Sequence, residues 1–165
     1  MAAIRTHKML GLVARTDAGT KSVTMGPGEG NLSISGLEAG MVTAIPVMNR
    51  GTFYQHVEGP DKEIPFSITI LHDTTLTNAS AVRVADAVLG TGFYTGETTA
   101  DPGGTVWTMD FVATVTRAGE VDAYALNNCR VTFDYGEAEA GNTLTINGIA
   151  RGKGASERAV VITSA

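Results

Sequence analysis

The chain has one cysteine, Cys129, among 165 residues. A single thiol excludes an internal disulfide framework and a four-thiolate metal site, and it suits a reducing compartment. Long apolar runs are also missing. The stretch 9–14 near the amino terminus contains Gly11 and runs straight into Arg15, so it is a poor core for a secretory leader. No segment approaches the roughly 20 apolar residues of a membrane-spanning helix, and no membrane association is expected.

Histidine is scarce and scattered. His7, His56 and His72 form no two-histidine helical pattern and flank no cysteine pair, so no metal site is expected, and His72 beside Asp73 reads as a solvated strand end. Catalytic signatures are missing too. There is no Gly-x-Ser-x-Gly elbow, and Cys129 has no histidine close in sequence, which makes it a buried structural thiol. Gly148, Gly152, Lys153 and Gly154 miss the phosphate-loop spacing and lie between strands, where a hairpin is expected. Gly90, Gly92 and Gly96 fail the dinucleotide fingerprint and read as a loop. The carboxylates Asp134, Glu137 and Glu139 are the densest acidic group, equally typical of a solvated turn. The sequons at Asn31 and Asn78 carry no weight without a secretory signal. No enzyme and no cofactor are expected.

Net charge is −5, distributed as +2 over residues 1–30 and −7 over the remainder. An acidic body argues against sequence-specific nucleic-acid binding, which needs clustered Lys and Arg. A basic segment beside an acidic body is instead suited to docking on another copy.

The composition is that of a folded domain: 43% hydrophobic, 18% charged, 22 threonines and 20 glycines. Two regions are expected, an extended arm or long loop over 1–30 and a β-sandwich over 31–165. Strands are expected near 9–13, around 32–34, and over 41–48, 53–57, 63–71, 105–116, 121–126, 130–135, 143–150 and 158–163. Pro46 places the 41–48 strand at an edge or a bulge. Ile64, Phe66, Ile68 and Ile70 alternate onto one face, as do Trp107, Met109, Phe111, Ala113 and Val115. One helix is expected over 79–89, with Val82, Ala85, Val88 and Leu89 as its apolar stripe and Gly90 as its stop. The fold class is mainly β: a sandwich or barrel-like single domain with one short helix and an extended amino-terminal arm.

The order of elements, carried best by Gly51-Thr52-Phe53-Tyr54, Gly59-Pro60-Asp61 and Ile64-Pro65-Phe66-Ser67-Ile68 followed by Leu71-His72-Asp73, resembles the tail tube proteins of long-tailed bacteriophages and related tube-forming systems. The resemblance covers about residues 25–163. It implies a β-sandwich closing into a six-membered ring, with rings stacked around a lumen that conducts DNA without binding it. It also implies tape-measure and tail-terminator or baseplate proteins as partners, a place in the virion tail and assembly in the host cytoplasm. Under it, Asp110 and Asp134 are candidates to face the lumen, although both positions equally fit ordinary solvent-facing carboxylates. Arg5, Lys8, Met9, Leu10 and Arg15 are candidates for inter-ring contacts, paired with acids such as Glu137 and Glu139. The long protruding hairpin of such subunits is sought at 21–40 or 90–104. The competing readings are a head-decoration or tail-completion protein, and a small-ligand-binding barrel using Trp107, Tyr94, Tyr124 and Tyr135.

Overall fold

Period-two alternation is strongest where the core forms. In a computed structural model that describes residues 9–15, 22–28, 30–72, 84–96, 99–100, 105–117, 120–136, 142–153 and 157–164, strand β6 (Ile64–His72) buries Ile64, Phe66 and Ile68. Strand β7 (Met109–Arg117) buries Met109, Phe111, Ala113 and Val115. The two rows face each other, and the rings of Phe66 and Phe111 meet with centroids 6.0 Å apart. Leu126, Ile146, Ala150 and Val160 complete the apolar interior. The protein is mainly β, as expected.

The remaining strands are β1 (Met9–Arg15), β2 (Ser22–Gly28), β3 (Gly30–Ile34), β4 (Val42–Asn49), β5 (Thr52–Asp61), β8 (Glu120–Gly136), β9 (Asn142–Ala150) and β10 (Val160–Ser164). Apart from the β4–β5 pair, they form one curled path in the order β2-β1-β7-β8-β9-β6-β3, with β10 added on β8. Only residue 29 separates β2 from β3, so the two ends of this path are tied by the chain itself. The result is a half-barrel around the core.

Strand β8 makes the curl possible. Its first half pairs with β7 and β10, and its second half, from Arg130 to Gly136, pairs with β9. Between Met109 and Phe111 the register slips, so that Asn127 and Asn128 together oppose Asp110. Asn128 takes φ 48°, a left-handed conformation that asparagine tolerates well and that one class of β-bulge uses. The bulge bends the strand and carries it from one half of the barrel to the other. Two strands expected at 121–126 and 130–135 are therefore one strand with a corner.

Asn127 receives Arg151 N–H on its carbonyl at 3.0 Å and donates its own N–H to Ala159 O at 2.9 Å. These bonds set β9 and β10 end to end along one side of β8. The hairpin expected between them is corrected accordingly. The chain does turn back, with Lys153 N–H donating to Glu157 O at 2.8 Å, but β9 and β10 both pair with β8 and not with each other. Gly154 lies outside the described residues.

The expected helix is described only as α1 (Val84–Leu89). Its end is built as expected. Gly90 takes φ 65°, and Thr91 N–H donates back to Asp86 O at 3.0 Å, the six-to-one bond of a Schellman motif. Val88 is buried, but Leu89, assigned to the same apolar stripe, is 63% exposed. Tyr94, in the turn that follows, is fully buried in the core. No helix among the described residues is long and apolar enough to cross a membrane.

Part of the arm or loop expected over 1–30 is described, as strands β1 and β2. β1 lies inside the sheet, pairing with β7 along its whole length and with β2 on its other side. The run Met9–Val13 has the composition of a buried strand, and β7 supplies an edge for it. β2 was hidden by Gly26 and Pro27, which read as turn residues. At the end of the path a proline leaves no ladder bond unmade on the open side.

Cys129 is buried beside the corner. Burial raises its thiol pKa well above the ordinary range, and the negative charge of Asp110 adds to the shift. The folded chain thus keeps a proton that the unfolded chain releases at alkaline pH. This contribution to stability is complete below the unfolded thiol's pKa and is lost as pH rises from there through the folded value. Alkylation of the native protein at mildly alkaline pH should run about a thousandfold or more slower than that of the urea-unfolded chain. Comparable rates measured by mass spectrometry would contradict this burial.

Candidate functional site

Among the described residues, strands β4 and β5 pair with each other and with no other strand. Their turn is two residues long: Asn49 faces Thr52, while Arg50 and Gly51 take φ 49° and 81°. Positive φ at both positions defines the type I′ turn, whose twist matches that of the strands it joins. Two register slips bend the ribbon, one leaving Tyr54 as the extra residue of β5, the other near Thr43. At the second, a Cβ on Gly59 would lie 2.7 Å from Thr43 O, so only glycine fits. Pro46 sits on β4, an edge strand with a bulge, as its missing amide requires.

Both faces of this hairpin are apolar. The register pairs Ile45 with Val57 on one face and Met48 with Phe53 on the other, where the Phe53 and His56 rings lie 4.8 Å apart. Ile45, Met48, Phe53, Tyr54 and Val57 are each between 43% and 67% exposed. An isolated two-stranded ribbon is marginal in water, so this hairpin with apolar side chains exposed on both faces is the candidate contact surface.

The root of the hairpin is fastened to the body. Lys62 N–H donates to Met41 O at 2.9 Å, and Lys62 pairs with Glu38 at 3.2 Å. The Arg158 guanidinium donates to Gly40 O, and Arg151 pairs with Glu63. The ribbon therefore projects from a defined base.

The described residues form a long hairpin over 42–61, outside the segments 21–40 and 90–104 where one is sought from the resemblance. A signal was present: Ala44 to Met48 is an unbroken apolar run, and in a strand five consecutive apolar residues must populate both faces.

The sequence candidates are placed as follows. Asp110 accepts Asn128 N–H at 2.8 Å on its Oδ1, so it fastens the β8 corner. Asp134 is exposed on the outer face of β8 and accepts a 3.3 Å bond from Asn147 Nδ2. The two carboxylates belong to different halves of the barrel, and no hydrogen bond joins them. Around Asp134 the outer face carries Thr132, Asn147, Thr145, Ser67, Thr69, Asn31 and Ser33 in register, a wall of uncharged polar groups. Met9, Leu10 and Arg15 lie in β1, their Cα atoms opposite those of Thr116, Val115 and Asp110. Arg5, Lys8, Glu137 and Glu139 lie outside the described residues, as do His7 and Asp73.

Asp110→Ala should cost about 1.5–3 kcal/mol of unfolding free energy, because it removes a charged acceptor from a partly buried amide. Asp134→Ala should stay within about 0.5 kcal/mol. Urea denaturation of both variants checks the contrast, and equal effects would contradict it.

Compared with known protein families, curated proteins and solved structures, the chain matches none.

Proposed function

We propose that this chain is a self-assembling structural subunit of the tail-tube kind, stacking as rings around a lumen through which DNA passes without specific binding. The observation that carries this reading is the β4–β5 hairpin, apolar on both faces and fixed at its root. Burying its five half-exposed side chains returns roughly 1 kcal/mol each, a gain available at every repeat of an assembly. A second copy of the chain is the partner that every molecule in such an assembly has at hand.

The polar outer face around Asp134 suits a lumen wall, since hydroxyl and amide groups do not hold phosphates. Asp134 remains a lumen candidate. Asp110 is instead assigned to the corner of β8. The half-barrel interior is filled by Tyr94, Phe111, Ile64, Met109 and Ile146, which favours assembly over the reading as a small-ligand barrel. By its resemblance the subunit belongs in a virion tail, assembled in the host cytoplasm beside tape-measure and terminator or baseplate proteins.

Sedimentation velocity over about a hundredfold range of concentration tests this reading. Discrete species much larger than the monomer, growing with concentration, are expected. A monomer throughout the range would overturn self-assembly.

A further inference from the structure

A cleft of about 270 Å³ opens at the corner of β8, lined among others by Val106, Thr108, Asn128, Arg130, Arg151 and Lys153. Three of these are cations and none of the described lining residues is acidic, in a chain where acids outnumber bases 17 to 12. Of the nearby carboxylates one is ion-paired and two are hydrogen-bonded to Asn128. Glu63 pairs with Arg151, Glu157 accepts from Asn128 Nδ2 at 3.3 Å, and Asp110 accepts Asn128 N–H.

Lys153 Nζ donates to Ala100 O at 3.0 Å, and the two arginines keep donors to spare. Arg151 contacts Glu63 through Nη2, leaving further N–H groups of its five. Arg130 is exposed, and no ion pair or hydrogen bond of its side chain is found among the described residues.

The positions are set by the fold. Arg130 follows the bulge at Asn128. Arg151 and Lys153 are held opposite it by Arg151 N–H on Asn127 O and by the Lys153–Glu157 backbone bond. Gly152 permits the close turn between them, since a Cβ there would lie 2.8 Å from Glu157 O. On the near wall Thr99 donates its hydroxyl to Val106 O at 2.9 Å and accepts Thr108 N–H at 2.8 Å.

Positive groups gathered in a concave site focus potential and concentrate anions, and an arginine fork matches the oxygens of a phosphate. We infer that this cleft binds a multiply charged phosphate-type oxyanion, either free or carried on a larger molecule. The cleft has room beyond a single phosphate, and half-exposed Val106 offers an apolar wall for a carrier. The site lies within one chain and stands independently of the tube reading.

Calorimetric titration of the full-length chain with inorganic phosphate, pyrophosphate and ribose 5-phosphate at about 0.15 M salt tests it. Saturable one-to-one binding of at least one probe is expected. Arg130→Gln, which breaks no side-chain hydrogen bond or ion pair among the described residues, should weaken it about tenfold or more. Glu63→Gln, which releases Arg151 from its partner, should leave it equal or tighter. Tighter binding of ribose 5-phosphate than of phosphate identifies a carried group, and the reverse identifies the free anion. No saturable binding of any probe, or unchanged affinity in Arg130→Gln, overturns the inference. A hairpin variant that no longer assembles should bind as the parent does.

Discussion

Serine at both Ile45 and Phe53 should leave the protein folded and abolish its assembly. The two residues stand on opposite faces of the hairpin, and each is about half exposed. Their removal from the monomer costs little, because substitutions at exposed positions outside special backbone geometry usually stay within about 0.5 kcal/mol. In an assembly the same atoms are desolvated, and losing two apolar anchors should cost about 2 kcal/mol or more at each contact. Repetition multiplies this deficit, so the large species seen by sedimentation should disappear while circular dichroism and the denaturation midpoint remain those of the parent. Loss of folding would place the hairpin in the core instead, and unchanged assembly would remove it from the interface.

Gly148→Ala should be the most damaging single methyl group at any of the described glycines. Gly148 lies on the inner face of β9, and a Cβ there would stand 2.6 Å from Val131 Cγ1, 2.7 Å from Phe66 Cζ and 2.9 Å from Arg130 O. The backbone oxygen belongs to the β8–β9 ladder and cannot withdraw without breaking register. Phe66 is held in turn against Phe111. Overpacking of this kind costs about 1–3 kcal/mol and occasionally more, a large share of a total stability of about 5–15 kcal/mol. Urea denaturation should show a lower midpoint with an unchanged slope. Thr132→Ala, on the exposed outer face of β8, should move the midpoint little, and an equally small shift for Gly148→Ala would contradict the packing described.

Much of the fold was legible because alternation reports burial directly. Ile64, Phe66 and Ile68, and likewise Met109 through Val115, lie on the inner face where their spacing placed them. Gly90 ends its helix as its missing Cβ suggested. Other features were hidden for physical reasons. Asn127 and Asn128 read as a break between strands, since asparagine favours turns, whereas here the left-handed residue bends one continuous strand. Gly26 and Pro27 obscured β2, whose pairing comes from β1 and not from its own propensity. The pairing of β9 and β10 with β8 is a long-range matter that local pattern does not encode.

The candidate site was legible only in part. Pro46 correctly marked an edge strand. The exposure of both faces of the 42–49 strand was not legible, because period-two reasoning assigns one face to the interior and does not ask whether a second sheet covers the other. Asp110 and Asp134 looked alike in sequence. Only the register slip separates them, turning one toward a backbone amide and leaving the other on an open wall.

The most direct test of self-assembly through the hairpin is negative-stain electron microscopy of the purified protein at rising concentration, with the Ile45→Ser/Phe53→Ser variant beside it. Rings with a central hole or stacked hollow tubes from the parent, and only small isolated particles from the variant, are the predicted result. Isolated particles from both at every concentration, or identical tubes from both, would contradict the account.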